Sequence, residues 1–446
     1  MNDLRVISMT PFFSKVLESF VMDWLMEIIK DKLDPKQFGG RKGSSVSHYL
    51  IELVNYILYN QDFSEPVAIL MCTIDFSKAF NLIDHNHIVT KLSDLGVPGW
   101  LLNVVSGFLI NRTMVLKYND TESKEYAIQA GGPQGTLLGL LLFLILINAC
   151  CSLDRNLTIG HDVTGNRSKF TPSTFYAKYV DDISIAESID LRSSLRQSST
   201  IVHPTPYHAR LGLSLPSSTS KVFAELLKVR EYADANLMKL NLSKTNYMLF
   251  NPTTSYDFMP ELDIDGVNID TVETMKILGV MVTSDLSWKK NTELIIGKAY
   301  KKLWIIKRLK RNGADFEDLL DIYTKQVRSH LEFAVPVWNS GLTVGEVKDI
   351  ERVQKAFFHI VLGDEYTSYD LALQTCGLET LESRRKNLCL KFASKTQKDS
   401  KHSHWFVRKQ KNYNTRSKEV WKPPVFKHER FRKSPIVYLT NLLNST

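Results

Sequence analysis

The stretch "EPVAILMCTIDF", residues 65 to 76, is an almost unbroken apolar run of strand length. A strand with one wet face alternates apolar and polar residues, whereas a continuous run is the mark of a strand buried on both faces. Such a strand requires apolar layers above and below it and a neighbour on each edge. It also ends on an acid, Asp75, where the run meets the rim of whatever sheet holds it. The flanking segments can supply the layers. Residues 11 to 30, "PFFSKVLESFVMDWLMEIIK", and 46 to 61, "VSHYLIELVNYILYNQ", carry apolar residues at helical spacing. A further helix is expected to start at Asp84, a plausible N-cap, and to stop before Gly96 and Pro98. "LLGLLLFLILI", residues 137 to 147, is too short to span about 30 Å of hydrocarbon and reads as a buried core helix.

A second stretch, "TFYAKYVDDISIAES" at 174 to 188, sets Asp181 beside Asp182 between two β-prone runs. Acidic pairs commonly lie at solvated hairpin tips, where repulsion is screened. Here the flanks imply a tight, mostly buried hairpin, and two crowded carboxylates would repel unless a cation neutralised both. That reading calls for a hard divalent ion and further oxygen ligands. The simplest third carboxylate is Asp75, 106 residues upstream. Three acids gathered from two segments onto one sheet edge suit two Mg²⁺ ions, with Mn²⁺ the alternative.

Charge is uneven. The formal net charge is +8, yet from Lys391 onward there are fourteen Lys or Arg against three acids, so the rest is slightly acidic. Basic residues interleaved with Trp405, Phe406, Tyr413, Trp421, Phe426 and Phe431 suit a polyanion with stackable bases, and equally a solvated tail. Five cysteines, an odd number, argue against a disulfide framework, and no CxxC or HxxxH spacing offers a zinc site. The absence of a secretory signal pattern points to a nuclear or cytoplasmic protein without a membrane span. Residues 191 to 221 lack a steady period and read as a long loop; beyond Leu286 helical patterns dominate, including one over 315 to 335.

In order along the chain come "CTIDFSKAF" (72 to 80), "GGPQGTLLGLLLFLILIN" (131 to 148), "YVDD" (179 to 182), "LMKLNLSKTNYMLF" (237 to 250) and "KILGVMV" (276 to 282). This series resembles the reverse transcriptases of non-LTR (LINE-type) retrotransposons. The likeness implies an α+β right-hand polymerase, with fingers and palm around an antiparallel sheet over 1–285 and a helical thumb-like domain over 286–395. Residues 396–446 would form a basic, aromatic-containing, partly disordered tail. It also implies an RNA-directed DNA polymerase working on an RNA template, a DNA primer and dNTPs; the sequence identifies no protein partner. The chain starts almost at the fingers, so a polymerase region without an endonuclease domain is expected.

The same resemblance assigns roles. Asp75, Asp181 and Asp182 would bind the metals, together with the backbone carbonyl of Phe76. Backbone amides of Ser77, Lys78 and Ala79 would face the triphosphate, Phe80 would crowd the 2′ position of the incoming sugar, and Arg41 in "FGGRKG" would grip the phosphates. Gln134 and Gly135 in "GPQG" would approach nucleotide and template, and Lys244 in "LSKT" would protonate the departing pyrophosphate. Read bare, Phe80 is a core aromatic, Arg41 and Lys244 are solvated cations, and "GPQG" is a turn. Val180 stands where this group usually has Ala. Two rival readings share the motifs: a non-catalytic nucleic-acid-binding relic, and a group II intron-encoded or telomerase-like reverse transcriptase. Replacing Phe80 by Ala is expected to admit ribonucleotides in a primer-extension assay; unchanged sugar discrimination would count against its role as a gate.

Overall fold

The continuous apolar run becomes the centre of a sheet. A computed structural model describes residues 8–77, 83–128, 130–151, 170–192, 211–213, 220–252, 256–258, 262–409 and 420–445. Its main sheet contains β1 (Val67–Ile74), β2 (Thr174–Tyr179), β3 (Asp182–Asp190), β4 (Asn246–Phe250) and β5 (Asp270–Thr271), in the order β5–β4–β1–β3–β2. β1 pairs antiparallel with both neighbours, from Val67 opposite Asp190 to Ile74 opposite Ile183, and from Ile69 opposite Phe250 to Thr73 opposite Asn246. Every β1 residue except Thr73 is buried.

Alternate β1 side chains enter two different cores, as the pleat requires. Ala68, Leu70, Cys72 and Ile74 face a core built from α1 (Phe12–Ile29), α3 (His85–Asp94), α4 (Gly99–Leu109), α5 (Leu137–Leu146) and α6 (Lys221–Ala235). Val67, Ile69 and Met71 face α2 (Val46–Asn60) and, beyond it, α7 (Lys289–Arg311), α8 (Val344–Leu362), α9 (Leu381–Thr396) and α10 (Pro435–Asn444). The helices after residue 288 therefore share one continuous core with α2 and the sheet. Local chemistry sets their ends. Asp84 caps α3 by accepting from His87 N at 2.7 Å, as its sequence position implied. Thr343 and Glu346 form a reciprocal capping box at the start of α8.

Two stretches differ from the expectation. The helical pattern over 315 to 335 breaks into Phe316–Ile322, a π turn at Tyr323–Val327 and Arg328–Glu332; Ala334 then takes φ +51° before Val335–Trp338. Proline is tolerated in a first helical turn but not in a helix interior, so the chain turns just before Pro336 and restarts with it in the first turn of Val335–Trp338. The described parts of 396–446 are packed rather than trailing, because Trp405, Phe406 and Phe431 bring too much apolar surface to leave in water. The Asp62 carboxylate accepts from Lys427 N at 2.9 Å and His428 N at 2.7 Å, which pins this segment to the end of α2. Most of the 191–221 loop lies outside the described residues; Leu211–Leu213 pairs in parallel with Tyr256–Phe258. All five cysteines are free and buried, and no described helix is long and apolar enough to cross a membrane.

Where α2 meets the segment after α9, His48 stacks on His402 with ring centroids 4.2 Å apart. His48 Nδ1 meets Ser45 Oγ at 2.8 Å and its Nε2 meets Thr396 Oγ1 at 3.2 Å. Burial holds His48 down to about 4, against the pull of Asp399. Burial, and then His48 beside it, hold His402 down to about 3. Both bind a proton more readily when unfolded, at their ordinary 6.5. The stability they confer is therefore complete above pH 6.5 and is lost as pH falls from 6.5 through about 4 for His48 and about 3 for His402. Urea midpoints measured across that window should fall in the parent chain and fall less in His402→Phe; parallel curves would show that the pair does not control acid sensitivity.

Candidate active site

The register of β1 on β3 decides which acids meet. Ile74 lies opposite Ile183, so one step further along both strands stand Asp75 and Asp182. The two line one cavity of about 300 Å³ together with Lys244, Lys276, Asn246, Tyr49 and Ser184. One wall is the first strand of a hairpin, β6 (Thr274–Ile277) and β7 (Val280–Thr283), which carries the whole "KILGVMV" motif. That hairpin turns through Leu278 at φ +46° and Gly279 at φ +92°, the two left-handed residues that a two-residue turn of this hand needs. The strands around the acidic pair are buried as expected. The pair itself is wetter than expected: Asp182 is exposed and Asp181 half-buried.

Asp181 sits in the turn. Tyr179 pairs with Asp182, so only Val180 and Asp181 connect β2 to β3. Val180 takes φ +60° and Asp181 a negative φ, the pattern in which the first central position normally goes to glycine. A β-branched side chain there costs about 1–2 kcal/mol. Several bonds hold the turn against that strain. The buried Gln37 side chain accepts from both Val180 N and Gly39 N at 3.0 Å. Lys178 N donates to Lys36 O at 2.9 Å and Phe38 N donates to Lys178 O at 2.8 Å. Gly39 lies so close that an added Cβ would stand 2.7 Å from Val180 Cγ2 and Val180 N.

Below the turn is a buried ion pair. Lys178 Nζ stands 2.6 Å from Asp34 Oδ2, with both side chains essentially inaccessible. The same ammonium donates to Asn148 O at 2.8 Å and Ile147 O at 3.1 Å, while Tyr176 OH donates to Asp34 Oδ1 at 3.1 Å. The network joins the loop after α1, the end of α5 and strand β2. On the cavity side, burial pushes the Tyr49 hydroxyl well above its ordinary range, so it stays protonated and donates to Ser184 Oγ at 2.6 Å.

The other residues assigned from sequence fall into three groups. Lys244 reaches the cavity with Asp75 and Asp182. Arg41, Gln134 and Gly135 do not line it. Arg41 donates to Asp34 O at 2.6 Å and Lys30 O at 3.4 Å, and burial lowers its pKa against the opposing charge of Asp34. Gln134 and Gly135 precede Thr136, the N-cap of α5, which accepts from Gly139 N at 3.1 Å. Lys78, Ala79 and Phe80 lie outside the described residues. Phe76 is buried and bridged to Leu240, and Ser77 N donates to Lys239 O at 2.8 Å.

Among the described residues no three His, Cys, Asp or Glu side chains converge as a metal cluster. Two carboxylates on one cavity nevertheless suit Mg²⁺, which commonly takes one or two protein carboxylates and completes its shell with water and substrate phosphates. Sequence reasoning passed over Gln37, Tyr49, Ser184, Lys276 and Asn241. Of these only Asn241 carried a local signal, as the turn-forming residue three before Lys244.

The chain belongs to the reverse transcriptase (RNA-dependent DNA polymerase) family, whose model matches residues 1–282. Among curated relatives it is similar to the probable RNA-directed DNA polymerase from transposon X-element of Drosophila melanogaster, 22% identical over 81% of this chain and 36% of the relative. It is also similar to that from transposon BS of the same organism, 21% identical over 76% of this chain and 33% of the relative. The RNA-directed DNA polymerase from mobile element jockey of Drosophila funebris is 22% identical over the same two shares. The chain thus spans about a third of the length of these relatives. Among solved structures it is similar to the telomerase of Candida tropicalis in complex with a TWJ fragment of telomeric RNA. There the TM-score is 0.41 at 12% identity, over 85% of this chain and 49% of that one, a likeness too weak to carry an inference.

Replacing Gly39 by Ala drives a methyl into Val180 and is expected to cost about 1–3 kcal/mol. Urea unfolding measures it, and an unchanged midpoint would show that the Gly39 contact does not hold the turn.

Proposed function

We propose that this chain catalyses RNA-templated addition of deoxynucleotides to a primer 3′-hydroxyl. The observation that carries the reading is the meeting of Asp75, Asp182 and Lys244 on one cavity, all within the stretch that matches the reverse transcriptase family. Asp75, Asp182, the neighbouring Asp181 and the carbonyl of Phe76 would hold Mg²⁺, two ions when substrate is bound. Bound there, the ions supply charge neutralisation at the attacking and leaving oxygens of an in-line displacement.

The remaining work falls to this chain's own residues. Lys244 is exposed on its turn, where its ammonium can give a proton to the departing pyrophosphate. Lys276, exposed on the same cavity, adds a second positive charge for a polyanionic substrate. Arg41 would exchange its carbonyl partners for the triphosphate, a stronger acceptor for a guanidinium. The Ser77 amide is already taken by Lys239 O, so of the three amides assigned from sequence those of Lys78 and Ala79 would face the same phosphates, and Gln134 and Gly135 would meet the nucleotide and template. Phe80 would exclude the ribose hydroxyl. α7 places many Lys and Arg around exposed Tyr300 and Trp304, with Arg308 5.7 Å over the Trp304 ring. Such a surface suits the phosphates and base faces of a nucleic acid.

The test uses purified chain, a primed RNA template, dNTPs and Mg²⁺. Extension should appear and should fall by about three orders of magnitude in Asp181→Asn and Asp75→Asn, matching the several kcal/mol that bound metal supplies. No extension above the Asp181→Asn background, combined with salt-sensitive RNA binding, would favour the non-catalytic relic.

A further inference from the structure

We propose that Asn241 is a positioning residue that sets the orientation of the Asp75 carboxylate and couples it to the turn carrying Lys244. The inference rests on the reading of Asp75 as a metal ligand. Residues 239–241 run alongside 75–77 just beyond the end of β1. Ser77 N donates to Lys239 O at 2.8 Å, Phe76 bridges Leu240, and Asn241 N donates to Asp75 O at 2.8 Å. These backbone bonds bring together segments 166 residues apart, and they would form whatever side chain stood at 241. The side-chain bonds are specific. Asn241 Nδ2 donates to Asp75 Oδ2 at 3.0 Å. Ser243 Oγ donates to Asn241 Oδ1 at 2.8 Å, which selects the amide orientation that turns the nitrogen toward Asp75.

An amide suits this place for a charge reason. A lysine here would compete with the cation for the carboxylate, and a second carboxylate would repel it; a neutral donor fixes one oxygen and leaves the other for an ion. The same residue closes the next turn. Asn241 O accepts from Lys244 N at 3.0 Å, Thr245 N at 2.9 Å and Thr245 Oγ1 at 3.0 Å. Lys244 is thereby anchored to the residue that holds Asp75, and both line the same cavity.

The decisive measurement is Mn²⁺ binding to the full chain, read from the electron paramagnetic resonance of the free ion and compared with Mg²⁺ titrations of primer extension. Asn241→Ala is expected to weaken Mn²⁺ binding about 10- to 100-fold, the usual effect of removing a partner that orients a metal ligand. It should raise the Mg²⁺ concentration for half-maximal extension by a similar factor, with the dNTP KM unchanged. A merely structural role would lower the thermal midpoint and leave both metal titrations in place. Wild-type Mn²⁺ affinity in Asn241→Ala, in a chain whose binding is abolished by Asp75→Asn, overturns the proposal. Should Asn241→Ala not fold, Ser243→Ala alters only an exposed side chain. It should weaken Mn²⁺ about two- to ten-fold, and unchanged affinity there overturns the proposal too. A chain that binds Mn²⁺ in this pattern yet extends no primer refutes the polymerase reading and leaves the role of Asn241 standing. Binding no stronger than that of Asp75→Asn refutes both.

Discussion

Burial of β1 on both faces is the constraint from which the rest of the structure follows. Because its alternate side chains enter separate cores, a slip of one residue against β3 or β4 would exchange the contents of both. The register is therefore fixed along the whole strand. A fixed register at Ile74 and Ile183 puts Asp75 and Asp182 side by side at the strand ends, where the apolar layers stop and water begins. The acids are close because hydrophobic packing elsewhere leaves the strands no other alignment.

Precision at the turn comes from a different source. Val180 occupies a left-handed conformation that its side chain disfavours, and the cost is offset by bonds from a loop 140 or so residues earlier: the Gln37 amide, the backbone of residues 36 to 38, and the closeness that Gly39 permits. Beneath it, the Asp34–Lys178 pair is fully withdrawn from water and bonded on several sides. A buried pair of this kind adds little net stability over an apolar substitute, but losing one partner costs about 3–5 kcal/mol. It acts as a lock on geometry: the loop after α1, the end of α5 and the strand leading into Asp181–Asp182 cannot move independently. The loop that holds the turn also carries Arg41, so the position of Arg41 and that of the Val180–Asp181 turn are mechanically linked.

The C-terminal third contributes in the same way. Its helices pack on α2, and α2 lies directly on the sheet, so Tyr49 reaches Ser184 behind the cavity from a helix that the later helices clamp in place. The stacked His48 and His402 lie at that clamp. Acid sensitivity at this point would loosen the support of the site without touching a residue that lines it.

Much of the site was legible in the sequence because its chemistry is written in residue type. Acids at a strand end and at a hairpin tip are conspicuous, and the ordered motifs around them carry the resemblance to the family. The helices α1, α2, α3 and α5 were legible from period and caps, since both are local. The break at Ala334 was not, because a continuous helical pattern and one proline do not say where a chain will turn. Nor was the docking of the C-terminal segment, since charge counts say nothing of the partner that Trp405 and Phe431 find. Asn241, Gln37 and Lys276 belong to the same class: each matters through a bond or a shared cavity with residues far away in the chain. By itself the sequence determined which carboxylates and cations this protein has and that its central strand is buried on both faces, because composition and period are properties of short segments. Only the tertiary structure decided that Asp75 faces Asp182, that Asn241 holds Asp75, and that Gln37 holds Val180, because those depend on the register and packing of segments more than a hundred residues apart.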